Sequence, residues 1–556
     1  MAFSFAKHHD DLLFVPLGGS NEIGMNLNLY HYKGKWLMID LGIGFADDYL
    51  PGVEVITPNV DFIMEHKDDL LGLVLTHAHE DHLGAVPYLW AEMGNPCPIY
   101  ATPFTAAVLK PKLKEEGITH GVKIHTVGPD SKIELGPFTL EMIPLTHSIP
   151  EMHAIAVRTD AGVVMHTGDW KLDHDPMVGP TSDEATLARY GDEGVLAMIC
   201  DSTNVMVEGE SGSESHVRHH LTEVIKNCEN RAIVTTFASN VARLESIIYA
   251  GLDAGRDIAL AGRSLWRITD AAKESGYLQD VPPFLTDKQA MDAPKDKILI
   301  ICTGCQGESR AALSKISRED HPVLRLAPKD TVIFSSRMIP GNETKINWMQ
   351  NKLTQLGLEV IGDQDAMIHV SGHPCRGELE RMYQLVRPKI AVPVHGEPRH
   401  IHEHAKLARS LQVKEAVEAT NGAVILLKEG EASIIGTVTS GYIAVDGKTL
   451  IDTNSPVIRT RRKIRDDGCI ILSMVLDKHG KIVSKPMLSG PGVLDVKEDA
   501  ELMQDICDQV AEEVHKVIKS GKTKGLDDRI RAVIRRIIGT ELGKKPVLDI
   551  QLHQLS

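Results

Sequence analysis

Aromatic residues are scarce in this chain: Phe, Tyr and Trp make up 4% of 556 residues, and Trp numbers 5. So few rings argue against a surface that grips single-stranded nucleic acid mainly by stacking. Cysteine is sparse too. The 8 cysteines are mostly isolated, which excludes a disulfide scaffold and fits reduced thiols. Cys302-Thr303-Gly304-Cys305 has C-x-x-C spacing, but no second pair follows at the interval a zinc ribbon needs, so neither a metal half-site nor a redox pair is expected. Nowhere do about 18 apolar residues run uninterrupted, so no membrane span is expected. Met1–Asp11 lacks the apolar stretch of a signal peptide, and the expected location is cytoplasmic. Positive charge is also in deficit, 60 basic against 76 acidic residues for a net −16, which excludes coating nucleic acid through bulk charge but not a local basic groove.

What is present is an ordinary globular balance, 42% hydrophobic and 24% charged, in a chain long enough for about three domains. The first 200 or so residues alternate short apolar runs (Leu12–Leu17, Trp36–Ile39, Leu73–Leu75, Phe138–Leu145, Gly162–Met165) with turn residues, predicting strands and a two-sheet α/β layered domain. Helices are expected at Gly84–Met93 and Ala106–Glu116. From about Val205 to Gly362 strand and helix patterns alternate, predicting a parallel sheet. Five basic side chains between Arg459 and Arg465 read as a linker. Beyond it Ile470–Leu476 and Ile482–Leu488 flank a turn at Asp477-Lys478-His479-Gly480, and two amphipathic helices follow, from about Asp499 to Ser520 and from Leu526 to Ile538. Lys516–Lys545 is locally basic, which suits either a solvated helix face or a surface for RNA or self-association.

The 26 histidines cluster. Thr76-His77-Ala78-His79-Glu80-Asp81-His82 follows the apolar run Leu73–Leu75 directly. Extended backbone alternates its side chains, so His77, His79 and Asp81 project to one side and His82 reaches in from beyond the turn. Imidazole and carboxylate suit Zn²⁺, and ligands split over two close points suggest a pair of ions. Further donors stand where other apolar runs stop: His147, Asp169 and His395. With Asp169 bridging, one ion receives His77, His79, His147 and Asp169, and the other Asp81, His82, His395 and Asp169. Two Zn²⁺ per chain are expected, with Mn²⁺ as the alternative.

This arrangement resembles the metallo-β-lactamase superfamily, whose first motif is matched by Asp40 in Ile39-Asp40-Leu41-Gly42, a support behind the metal ligands. The long insertion between Asp169 and His395 resembles the β-CASP nucleic-acid-processing branch, with Asp201, His373 and His395 at its three motifs. Phrases such as Phe237-Ala238-Ser239-Asn240 and Ile339-Pro340-Gly341-Asn342-Glu343 are most similar to the bacterial ribonuclease J family; Val241-Ala242-Arg243 and Ser335-Ser336-Arg337-Met338 depart from its Gram-positive members. The resemblance implies an αββα sandwich at 1–205 and 381–455, a β-CASP parallel-sheet domain at 206–380, a linker at 456–466 and a small α+β domain at 467–556. It implies two-metal hydrolysis of RNA with 5′-to-3′ exonuclease action favouring 5′-monophosphate ends, endonuclease action, and roles in RNA maturation and mRNA decay. Asp81, His373 and Asp201 take the catalytic positions, and Ser239, Asn240, Val241 and the run His369, Val370, Ser371, Gly372 and His373 take the 5′-phosphate pocket. Arg263 and Arg337 stand at comparable strand ends, which suits either contact with RNA phosphates or ordinary surface pairing. A homodimer or homotetramer, and membership of an RNA-degradation complex with a helicase, are also implied. The competing reading is another hydrolase of the superfamily, a tRNA 3′-processing nuclease or a thioesterase, which the insertion disfavours.

Overall fold

The computed structural model describes residues 3–129, 131–520 and 525–555. The chain forms two compact units, one of residues up to Gly44 with Thr57–Gly441, the other of Phe45–Ile56 with the remainder from Tyr442.

In the first unit two sheets enclose one core. The eight-stranded sheet runs in the order Ser433–Thr437, Ala423–Leu426, Leu13–Gly18, Leu27–Tyr32, Lys35–Ile39, Leu70–Val74, Ile99–Ala101 and Ile124–Thr126. The seven-stranded sheet runs Glu415–Ala416, Ile390–Val394, Ala197–Asp201, Gly162–His166, His153–Thr159, Phe138–Pro144 and Lys132–Leu135. Phe14, Tyr30, Leu37 and Val74 from the first meet Leu140, Val157, Ile199 and Val392 from the second in one buried cluster. The other face of the seven-stranded sheet is covered by Glu184–Glu193, Arg376–Val386 and Pro398–Ser410 through Leu187, Met382 and Leu407. Strands buried on both faces read as continuous apolar runs, which is why these were legible in the sequence.

Within the same unit a third, all-parallel sheet of five strands has the order Asp257–Ala261, Ile298–Cys302, Ala232–Thr235, Thr331–Phe334 and Glu359–Ile361. Cys302 lies on its second strand, and burial pushes the Cys302 and Cys305 thiols up to about 12 each, as inert core groups.

Some elements differ from expectation. Gly84–Met93 is not one helix: short helices form at Glu80–Leu83 and Val86–Leu89, separated by Gly84 and Ala85, and Pro87 in the first turn of the second lacks an N–H to continue the first. The segment expected as a linker is the helix Pro456–Asp467, started by Ser455, whose hydroxyl accepts from the Ile458 N–H, and by Pro456 in its first turn. The hairpin Tyr442–Asp446 with Thr449–Asp452, expected with the sandwich, lies in the second unit.

That second unit centres on Cys469–Leu476, which pairs antiparallel with Met487–Ser489 and parallel with Val547–Gln554. The turn forms as expected, Asp477 Oδ1 accepting from the N–H groups of His479 and Lys481. The return strand is shorter, only Met487–Ser489. Helices Ala500–Lys519 and Leu526–Glu541 pack Ile506, Val510 and Val514 against Ile530, Ile534 and Ile538 over the sheet. The basic stretch Lys516–Lys545 includes Lys522 and Lys524, which lie outside the described residues. Among the described residues no helix is long and apolar enough to cross a membrane.

Candidate metal centre

Strand order brings the donors together. Gly162–His166, Ala197–Asp201 and Ile390–Val394 are adjacent and parallel, so their C-terminal ends deliver Asp169, Asp201 and His395 side by side. In the facing sheet Lys35–Ile39 and Leu70–Val74 are parallel neighbours with Ile39 opposite Val74, which places Asp40 beside the loop carrying His77 to His82. His147 follows Phe138–Pro144.

Among the described residues three donor groups result, and two of them are made of the expected metal ligands. In the first, His79 Nδ1 lies 3.0 Å from His77 Nε2 and 3.1 Å from His147 Nε2. Donors bound at ~2.0–2.1 Å to one ion sit roughly 3 Å apart, so this spacing is that of a shared coordination sphere. The ring orientations are set from behind: His147 Nδ1 meets the Gly372 carbonyl at 2.6 Å, and His77 Nδ1 lies 3.0 Å from Thr76 Oγ1. In the second cluster Asp169 Oδ2 is 3.1 Å from His82 Nε2 and 3.7 Å from His395 Nε2, and Asp81 Oδ2 is 3.2 Å from His395 Nε2. Each set keeps its donor atoms within 4.8 Å of one another. Asp169 groups with the second set rather than with the first three histidines.

Asp40 stands where the sequence placed it. It is fully buried, its Oδ2 lies 2.7 Å from His82 Nδ1, and it also accepts from the Thr76 N–H and hydroxyl, each at 2.8 Å. Its backbone is left-handed, with φ 63°, which turns the carboxylate under His82. His395 also has positive φ, 50°, and its N–H donates to the Gly19 carbonyl at 2.6 Å. The Gly18–Gly24 loop thus packs against the site.

Burial, then the neighbouring imidazoles, hold His77 and His147 well below the ordinary histidine value, and burial brings His79 to about 4. All three are neutral donors. Burial also opposes charge at His82 and His395, but the carboxylates of Asp169 and its neighbours outweigh it and hold both well above the ordinary value. Asp81 and Asp169 are held far below the carboxylate range because those imidazoles outweigh the cost of burial. Three neutral nitrogens beside a buried, anion-rich set suit divalent cations, which replace protons on such donors.

Next to the second cluster His373 Nδ1 lies 2.8 Å from Asp201 Oδ2 and 3.9 Å from Asp169 Oδ2. Four residues around the site carried no signal in the sequence. Thr203 donates its N–H and hydroxyl to Asp201 Oδ1 at 2.8 and 2.6 Å, and its Oγ1 is 2.9 Å from His395 Nδ1. Asn204 Nδ2 donates to Ser371 Oγ and the His373 carbonyl. Asn26 and Thr76 contact His82. A small polar residue looks the same in sequence whichever way it faces. In the expected phosphate pocket Asn240 caps helix Val241–Asp253, its Oδ1 accepting from the Arg243 N–H at 2.8 Å. Arg263 and Arg337 are exposed.

Family models match in chain order: the beta-lactamase superfamily domain over residues 36–217, the ribonuclease J beta-CASP domain over 229–353, the Zn-dependent metallo-hydrolase RNA specificity domain over 358–419 and the ribonuclease J C-terminal domain over 456–554. A ribonuclease J of Sinorhizobium meliloti is 40% identical over 98% of this chain and 98% of its own length. The chain belongs to the ribonuclease J family. Ribonuclease J proteins of Corynebacterium glutamicum and Thermus thermophilus are 37% and 33% identical, covering 90% and 97% of this chain and 70% and 94% of their own. A crystal structure of an Enterococcus faecalis protein of unknown function shares the fold, with TM-score 0.50 and 15% identity over 78% of this chain and 100% of its own. As a member of that family, the protein is a ribonuclease built on a metallo-β-lactamase sandwich with an inserted β-CASP sheet and a C-terminal domain. The donor clusters fit the metal dependence named by the Zn-dependent metallo-hydrolase model that matches residues 358–419.

Proposed function

We propose that this member of the ribonuclease J family holds two divalent cations, Zn²⁺ with Mn²⁺ as the alternative, and cleaves RNA both from 5′-monophosphate ends and internally, in RNA maturation and mRNA decay. His77, His79 and His147 would hold one ion, and Asp81, His82, Asp169 and His395 the other. Such a pair supplies Lewis acidity at a phosphoryl group and lowers the pKa of water. The chain's own groups do the rest. Asp40 accepts from His82 Nδ1–H and so keeps its Nε2 bare for a metal, and the Gly372 carbonyl does the same for His147. Asp81 acts as ligand and proton acceptor. His373 binds Asp201 through Nδ1, leaving Nε2 to pass a proton to the departing 3′ oxygen. Ser239, Asn240, Val241 and His369 to His373 receive the 5′ phosphate.

The observation that carries this reading is the meeting of His147, from the sandwich, with Gly372 and His373, from the end of the insertion, at one donor cluster. An insertion that completes the site from a large adjoining surface suits a polymeric substrate. Assembly as a homodimer or homotetramer in the cytoplasm, and partnership with a helicase, rest on the family resemblance. A time course on end-labelled RNA with 5′-monophosphate or 5′-triphosphate, under defined Zn²⁺ or Mn²⁺, tests the proposal. Mononucleotide release from monophosphorylated ends together with internal cuts is expected. Thioester hydrolysis without RNA cleavage would overturn it.

A further inference from the structure

Arg243 is fully buried, yet nothing in the proposed chemistry uses it. Its guanidinium grips the Glu214 carboxylate in a fork, Nε to Oε1 at 2.6 Å and Nη2 to Oε2 at 3.0 Å. The remaining donors turn to strand-end Ser335 and to the segment before His373. Nη1 lies 3.0 Å from the Ser335 carbonyl, 3.0 Å from the Ile368 carbonyl and 3.2 Å from His369 Nδ1, and Nη2 lies 3.4 Å from the Val370 carbonyl. The two Nη1 hydrogens are therefore shared among several acceptors.

A guanidinium only donates and does not lose its proton in a protein. His369 Nδ1, facing it, must be the bare acceptor nitrogen, so the ring proton sits on Nε2. His369 is only partly buried, so Nε2–H is a donor held ready for an outside acceptor. We infer that Arg243 is a positioning residue for recognition of the RNA 5′ end: by occupying His369 Nδ1 it fixes the Nε2–H tautomer and aims that donor at the terminal phosphate. This rests on the phosphate-pocket reading above.

The His373 end of the loop is held separately. Asn204 binds Ser371 and the His373 carbonyl, and the Gly372 carbonyl meets His147. Losing the Arg243 fork therefore acts first on His369, and so on end binding more than on bond cleavage.

The test measures kcat and KM of the full-length enzyme on one RNA carrying either a 5′-monophosphate or a 5′-hydroxyl. Arg243→Lys keeps the charge but not the fork. It is expected to lower the monophosphate preference about tenfold or more, mostly through KM. His369→Asn leaves Arg243 in place but has no group at the Nε2 position, and should lose the preference to the same extent; His369→Gln, whose amide reaches that position, should restore most of it. In the double variant Arg243→Lys with His369→Asn the two losses should not add. A wild type with no preference would sink the phosphate-pocket reading itself. A wild type with the preference, and an Arg243→Lys variant that retains it at unchanged KM, would overturn this inference alone. If Arg243→Lys does not fold, the Asn and Gln variants decide, equal behaviour of the two overturning it.

Discussion

His147 Nδ1 lies 2.6 Å from the carbonyl oxygen of Gly372, 225 positions further along the chain. The first belongs to a strand end of the sandwich and the second to the loop that closes the insertion. Through this one contact the inserted segment sets the tautomer of a donor histidine. The insertion is therefore part of the centre and not only a platform beside it.

Gly372→Ala tests that contact. A Cβ built at Gly372 would stand 2.8 Å from His147 Cε1 and 3.0 Å from its Nδ1, closer than side chains tolerate. Either the ring or the loop must move. Activity and metal affinity should fall about 10–100-fold, the usual cost of disturbing a group behind a ligand, with the thermal transition little changed. Metal content after gel filtration, read beside cleavage rate, checks it.

Asp40→Asn is a milder change on the opposite side. Asn tolerates the left-handed backbone at this position, so the fold should persist. The amide, however, must serve Thr76 and His82 with one acceptor oxygen in place of two. Metal affinity is expected to drop about 10–100-fold, measured by competition with a chelating dye.

His79→Ala removes the nitrogen shared by the closest contacts of the first cluster. RNA cleavage should disappear into the background. Chelation of the wild-type enzyme should do the same, reversibly on adding Zn²⁺ or Mn²⁺, while far-ultraviolet circular dichroism stays unchanged. Full cleavage by the variant would remove the metal assignment.

Glu214→Ala addresses stability. It leaves the Arg243 guanidinium buried without its carboxylate, since the Arg243 side chain is 0% and that of Glu214 5% exposed. Breaking one partner of such a pair costs about 3–5 kcal/mol, whereas replacing both with apolar residues costs far less. Denaturant unfolding of Glu214→Ala against the double variant Glu214→Leu with Arg243→Met should show that order.

Deleting residues after Arg465 cuts the helix Pro456–Asp467 and removes both long strands of the terminal sheet. A smaller native mass by sedimentation is expected, with reduced cleavage and retained metal. An unchanged assembly would count against a role for this unit in self-association.

Much of the centre could be read in the sequence because each donor follows an apolar run: His77 after Leu70–Val74, Asp169 after Gly162–His166, His395 after Ile390–Val394. Such runs are local, and a buried parallel strand has few other ways to appear. Charge spacing misled where capping mattered more, as at Arg459–Arg465, which lies within a helix begun by Ser455 and Pro456. Sequence alone thus determined the strands, the donor types and the family. Only the tertiary structure decided which strands are neighbours, and with that the grouping of Asp169 with His82 and His395. It also decided the partners of Thr203 and Asn204 and the burial of Arg243 against Glu214. Those contacts join residues far apart in the chain, and their geometry depends on the sheet order that the whole core imposes.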